Sequence, residues 1–300
     1  MELIKIFIDV LLPIFGVIAF AAFTDRYLHL DTKLLARLNI YLLCPLLILI
    51  SLENIELQGK ELWMIVIMAV GSAVVMAIIG TLLSSVLRLD RWLSGAFILC
   101  VFMGNTGGMG FSLAQFAFGD EGLQRAVLFF AVVGIVNSPL AIFISSRGSY
   151  TIKESLMNIV KNPIIYATIT GLLLNTFDLH LPTPLERFAE IPARASIPFT
   201  LILLGVQLAR IKVVKNLNYA LVASVARLIV APLVGFGIAA LVGVSGLAMK
   251  STIIQIAMPA ATFTAVFATE YGSDAEFASM VGLITTLGSI ITLSLLLLLL

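Results

Sequence analysis

Phe102-Met103-Gly104-Asn105-Thr106-Gly107-Gly108-Met109-Gly110-Phe111 interrupts an apolar segment that runs from about Trp92 to about Phe118. FILCVF precedes the glycine cluster and FSLAQFAF follows it. A second segment, from about Leu247 to about Tyr271, is broken in the same way. It reads STIIQIA, then Met258-Pro259-Ala260-Ala261-Thr262, then FTAVFATEY. A helix loses hydrogen bonds at a proline and gains little from clustered glycines, so each segment predicts two half-helices. In hydrocarbon, the freed backbone groups survive only where protein or a water-filled cavity satisfies them. Paired interruptions in two halves of a chain point to the substrate site of a secondary transporter.

The composition sets the class. Apolar residues make up 60% of the 300, charged residues 12%, and the mean hydropathy is +1.11. A bilayer core about 30 Å thick takes about 20 apolar residues per helix. On that measure ten spans are expected, at about 4–24, 34–53, 62–87, 92–118, 123–145, 158–177, 193–209, 217–243, 247–271 and 275–300. Short strands of alternating polarity, the mark of a membrane barrel, are not part of this pattern. The first apolar run is longer than the core of a cleaved signal, and Phe23-Thr24-Asp25 is a poor cleavage site. Cys44 and Cys100 lie inside spans and read as reduced packing residues, and His29 and His180 fall in connections. No metal site, cofactor or nucleic-acid partner is expected.

Charge distribution gives an orientation. Arg26, Lys33, Arg37, Arg88, Arg91, Arg147, Lys153, Lys161, Arg210, Lys212 and Lys215 fall on one set of connections. Lys5, Lys60, Arg125, Arg187, Arg194 and Lys250 fall on the other. Eleven against six favours a cytoplasmic first set, with both termini facing outward from the cell (inner) membrane.

The chain also repeats itself. Pro13 matches Pro163, Leu28-His29-Leu30 matches Leu179-His180-Leu181, Cys44-Pro45 matches Ile197-Pro198, and Phe118-Gly119-Asp120 matches Tyr271-Gly272-Ser273. Residues 1–150 and 151–300 then hold five spans each, linked by 146–157. An odd number inverts the second half relative to the first, which puts the site near the midplane where the halves meet.

At each break a half-helix begins inside the membrane, and its first N–H groups lack helical partners. Two such ends, each carrying roughly +0.5 charge, suit an anion. Gly104, Gly107 and Gly108 let a ligand approach the backbone, and Asn105 and Thr106 add polar side chains. In the second break Pro259 has the fixed φ of a first helical position, and Ala260, Ala261 and Thr262 complete the approach. The same glycines and proline also fit packing positions and a simple kink. Asn137, in Asn137-Ser138-Pro139 of the fifth span, fits either the cavity or a local cap. Gln115 and Gln255 are further cavity candidates. Arg227 lies deep in the eighth span, where an ionisable group has a function or snorkels to the surface.

These motifs carry a family likeness. Gly104-Asn105-Thr106-Gly107 with Phe118-Gly119-Asp120, Asn162-Pro163-Ile164-Ile165, Pro198-Phe199-Thr200-Leu201-Ile202 with Leu204-Gly205, and Met258-Pro259-Ala260 with Tyr271-Gly272 resemble the auxin efflux carrier family. Its bacterial members include malate and malonate permeases. The resemblance implies an all-α polytopic membrane protein of ten transmembrane helices in two inverted five-helix repeats. Broken helices 4 and 9 would cross, as in bile-acid symporters and sodium/proton antiporters. Helices 1, 2, 6 and 7 would form a scaffold that makes a homodimer, and helices 3–5 and 8–10 a core that moves as an elevator. Plant members carry a long loop between spans five and six and ionisable residues in spans two and three. Here that loop is short, and span three has no ionisable residue.

The expected function is secondary transport of small organic anions, carboxylates in particular. A sodium-coupled symporter of bile-acid type and a transporter-like sensor without flux are the alternatives. The spans carry no HExxH, no GxGD-like pair and no aspartate-rich diphosphate motif, so an enzyme is not expected.

Overall fold

Prolines shape the helices of this chain as much as apolar runs do. A computed structural model describes residues 2–57, 59–146, 162–211, 216–270 and 272–300. Arg147, Lys153, Lys161, Lys212, Lys215, Tyr271 and nearly all of the 146–157 connection lie outside the described residues. Within them the elements are helical. The one strand-like feature is an isolated antiparallel bridge between Gly104 and Ala260.

Helices α1 (Leu3–Leu28), α2 (Thr32–Glu53) and α3 (Gly59–Val86) are each long and apolar enough to cross a bilayer. A shorter α4 (Arg91–Phe102) leads to the first break. After a π turn at Thr106–Gly110 comes α5 (Phe111–Ser146). The second half holds α6 (Pro163–Thr176), α7 (Thr183–Ala209), α8 (Leu217–Val242), α9 (Gly246–Ile256), α10 (Phe263–Glu270) and α11 (Ala275–Leu299). Among the described residues seven helical stretches, one of them running from Thr106 to Ala141 across the Gly119 kink, meet the length and hydropathy of a membrane span. The protein is therefore a multi-pass membrane protein.

Several expected boundaries move. The fourth and fifth spans meet at Gly119, whose φ of 70° and ψ of −164° are not helical and turn the chain between two helical stretches of α5. Only glycine enters that conformation freely. The seventh span begins at Thr183 rather than 193 and carries Pro192 and Pro198 in its interior. The second broken segment supplies two short helices, α9 and α10.

Three π turns have a shared cause. Phe7–Leu11, Asn39–Leu43 and Ala226–Val230 each stand just before a proline: Pro13, Pro45 and Pro232. A proline removes an N–H and pushes on the carbonyl one turn back, so the ladder widens there. In α8 the widened turn carries Arg227.

Packing explains which faces stay apolar on the outside. Phe20, Tyr27, Trp63, Val86, Ile191 and Leu241 are exposed, a surface suited to lipid. The interior around α4 and α9 is closed by Phe97, Phe111, Phe129 and Phe277, with Phe97 and Phe277 stacked at 6.5 Å.

Polar contacts tie helix ends together on two levels. Asp25, near the end of α1, accepts from Leu30 N–H at 2.9 Å and forms a two-pronged pair with Arg210, which follows α7. Glu53, at the end of α2, accepts from Leu181 N–H at 2.7 Å, and Asn175 of α6 donates to the Glu53 and Ile55 carbonyls at 2.9 Å each.

Candidate functional site

The two breaks meet. Asn105 N–H donates to the Pro259 carbonyl at 2.7 Å, and Ala261 N–H donates to the Met103 carbonyl at 2.9 Å. Gly104 and Ala260 sit opposite each other between those bonds. Ala260 N–H finds Thr285 Oγ1 of α11 at 3.1 Å. Backbone that no helix could satisfy is thus paired within the protein, as the bilayer interior requires.

Four helix ends surround this bridge. Helices α4 and α9 arrive with their carbonyl ends, while the π turn before α5 and helix α10 leave with their N–H ends. Arg227 serves the arriving pair. It is 2% exposed. Its Nε donates to the Met258 carbonyl at 2.8 Å and its two terminal nitrogens donate to the carbonyls of Val101, Phe102 and Ile256. The ends of both arriving helices are therefore capped by one guanidinium. Each helix C-terminus carries roughly −0.5 charge, so two of them match one cation. Arg227 does not snorkel; its place in the core is fixed by these carbonyls.

Asn105 organises the first departing end. Its Oδ1 accepts from Gly108 N–H at 3.1 Å, and its own carbonyl accepts from the N–H groups of Met109 and Gly110. That is N-cap chemistry. With Oδ1 spent, the amide Nδ2 is left buried without a partner. A buried polar group in that condition costs roughly 1–3 kcal/mol.

The role expected of Pro259 changes. It is not the first residue of a half-helix, because α10 begins at Phe263. Residues 258–261 are instead non-helical and pass through the bridge, and Pro259 contributes the carbonyl that Asn105 N–H needs. Its ring nitrogen has no hydrogen to satisfy. Ala261 is buried, Thr262 half-buried, and the Ala261 carbonyl accepts from both Thr264 N–H and Thr264 Oγ1.

The glycines are also explained, in a way that differs from open approach by a ligand. A Cβ on Gly104 would come within 3.0 Å of an Arg227 nitrogen. One on Gly107 would press on the Phe130 ring, one on Gly108 would collide with the Asn105 amide, and one on Gly110 with the Gln255 amide. Each glycine makes room for one particular side chain.

Beside the bridge lies a cavity of about 20 Å³, lined by Ser72 of α3, Phe102, Gly104, Thr106, Phe129 and Val133 of α5, Arg227, Gln255 and neighbours. Gln255 is fully buried, and neither of its amide atoms has a hydrogen-bond partner. Asn137 is buried with Oδ1 unpartnered, and it stands one helical turn beyond Val133. It does not line the cavity. Gln115 bonds Asp120 instead, at 3.3 Å. Ser72, Phe129, Val133, Phe130 and Thr285 carry no sequence signal beyond a hydroxyl or ring in an apolar span.

Residues 6–297 match the family described as membrane transport protein. The chain belongs to that family. An uncharacterized transporter of Methanocaldococcus jannaschii is 28% identical over 207 residues, 67% of each chain. An uncharacterized transporter of Methanothermobacter thermautotrophicus is 26% identical over 267 residues, 88% of each. A Rhizobium meliloti protein named "Putative malonate transporter" is 25% identical over 302 residues, 94% of this chain and 92% of that one. In this membrane transport protein, the bridge joins Gly104, Asn105, Pro259, Ala260 and Ala261, and Thr106, Gly107 and Gly108 follow directly on its first strand.

Proposed function

We propose that the chain is a secondary transporter of small organic anions, carboxylates in particular, and that the crossed breaks hold the anion. The observation that carries this reading is the placement of Arg227. It occupies the two carbonyl ends, so that a ligand meets the positive dipoles of the two departing ends and the unpartnered Asn105 Nδ2. The four end charges sum to about zero, so the buried guanidinium leaves the site with about one positive charge. No carboxylate is among the described residues lining the cavity. A bound monoanion completes the balance. Gly104, Asn105, Thr106, Gly107, Gly108, Pro259, Ala260, Ala261 and Thr262 are the proposed site, and Asn137, one turn beyond the cavity wall, is left outside it. The malonate in the Rhizobium relative's name suits a small dicarboxylate.

The architecture proposed for this activity is ten spans in two inverted repeats. The Asp25–Leu30–Arg210 contact, between α1 and α7, has its counterpart in Asn175–Glu53–Leu181, between α6 and α2. These four helices form the scaffold, through which two copies associate, and the helices around the bridge form a core that carries the anion as an elevator. The connection holding Arg26 and Lys33 faces the cytoplasm, and both termini face out. Contacts group the helix ends by side, Arg210 with Asp25 and Arg125 with Glu61.

Uptake into proteoliposomes of a carboxylate panel, with pH, sodium and voltage varied separately, tests the reading. Accumulation of a carboxylate without added sodium supports it. Strict sodium dependence favours the symporter of bile-acid type, and binding without flux favours a sensor.

A further inference from the structure

Gln255 is a buried polar group that the bridge itself does not use. Its amide is held in place by close packing on Gly110, and it lines the cavity with both Oε1 and Nε2 unpartnered. A primary amide offers an acceptor and donors side by side. An ionised carboxylate only accepts. It would satisfy Nε2 and set a negative oxygen against Oε1. A protonated carboxyl presents an O–H donor beside a C=O acceptor, and so pairs with both atoms at once.

Size and field agree with that match. The cavity, at about 20 Å³, has room for one or two waters, which is the bulk of one carboxyl group and less than a whole dicarboxylate. Arg227 is the one ionisable side chain among the described residues lining it, and its charge is matched there by the carbonyl ends of α4 and α9. On α4, Cys100 turns away, toward Thr264 and the Ala278 carbonyl. The positive field comes from the departing N–H ends and Asn105 Nδ2, and Asn105 stands between the lining residues Gly104 and Thr106.

We propose that the Gln255 cavity is a subsite for a neutral, protonated carboxyl, so that the protein takes dicarboxylic acids as their hydrogen monoanions. The ionised carboxylate sits toward Asn105 and the protonated carboxyl toward Gln255. The proton arrives on the substrate and leaves on it; no bond to it forms or breaks on the protein. This inference rests on the anion-transport reading above.

The test is calorimetric binding of malonate and of malonamate, its half-amide, to the full-length purified protein. The half-amide carries one carboxylate and one neutral group with donor and acceptor at every pH. Between about pH 5 and about pH 8 its affinity is expected to stay flat, while that of malonate falls about tenfold per unit above the second pKa of the acid. Gln255→Met keeps the bulk and removes both hydrogen bonds. It is expected to weaken malonamate about tenfold or more while leaving propionate, which has no second carboxyl, unchanged. Malonate binding that is flat with pH overturns the proposal. So does malonamate binding that follows the malonate curve, because a protein group would then be titrating. In either case anion transport stands. Absence of binding by every carboxylic acid at every pH removes the anion reading itself.

Discussion

The backbone N–H of Asn105 donates to the carbonyl of Pro259 at 2.7 Å, so the two breaks form one structure. Each break leaves polar backbone that the other satisfies. A change in either segment is therefore felt in both.

Asn105 does two jobs with one amide, and substitutions separate them. Asn105→Asp keeps an oxygen for Gly108 N–H but puts a negative oxygen where Nδ2 stood. It is expected to fold, with an apparent melting temperature near that of the wild type, and to lose anion binding about tenfold or more. Asn105→Ala loses the cap as well, about 1 kcal/mol of stability. Wild-type affinity in a folded Asp variant would remove Asn105 from the site.

Arg227 holds four carbonyls, which no shorter or uncharged side chain can do. Arg227→Met leaves the ends of α4 and α9 facing each other without a cation. Each buried carbonyl left without a donor costs about 1–3 kcal/mol. The expected result is poor yield of monodisperse protein and no anion binding. Arg227→Lys keeps the charge with fewer donors and is expected to melt lower while retaining preference for acid over amide. Thermal melts in detergent with and without malonate check both.

Gly110→Ala drives a methyl into the Gln255 amide, and Gly108→Ala into that of Asn105. Overpacking of this kind costs about 1–3 kcal/mol. Gly16→Ala, where a Cβ meets nothing within 4 Å, is the control and is expected to be neutral. Equal melting temperatures for all three would show that the glycines serve another purpose.

Orientation is open to a labelling test. Lys33, in the first turn of α2, and Glu56, just past its end, are both exposed. Lys33→Cys is expected to react with a membrane-impermeant maleimide only from the cytoplasmic side, and Glu56→Cys only from outside. The reverse pattern inverts the proposed topology; labelling of both from one side breaks it.

Much of this was legible in residue types whose effect is local. Glycines and prolines report their own backbone, so the positions of both breaks could be read directly. The role of Pro259 could not, because a proline that starts a helix and one that passes through a bridge look alike until the partner strand is known. Arg227 stood out by depth, but its partners are backbone carbonyls, which have no sequence signature. Gln255 gave little signal, since its importance lies in lacking partners in a place that only packing defines. The junction at Gly119 was legible too, because a glycine followed by Asp120 and Glu121 interrupts the apolar run.

The central claim is that helix ends and Arg227 together hold a single negative charge. Its most direct test is binding of malonate and of malonamide, the diamide of the same size, to the wild-type protein under identical conditions near the second pKa of malonic acid. The account predicts that malonate binds about tenfold or more tightly than the diamide, because only the acid carries the charge the site lacks. Equal affinity for the two would contradict it.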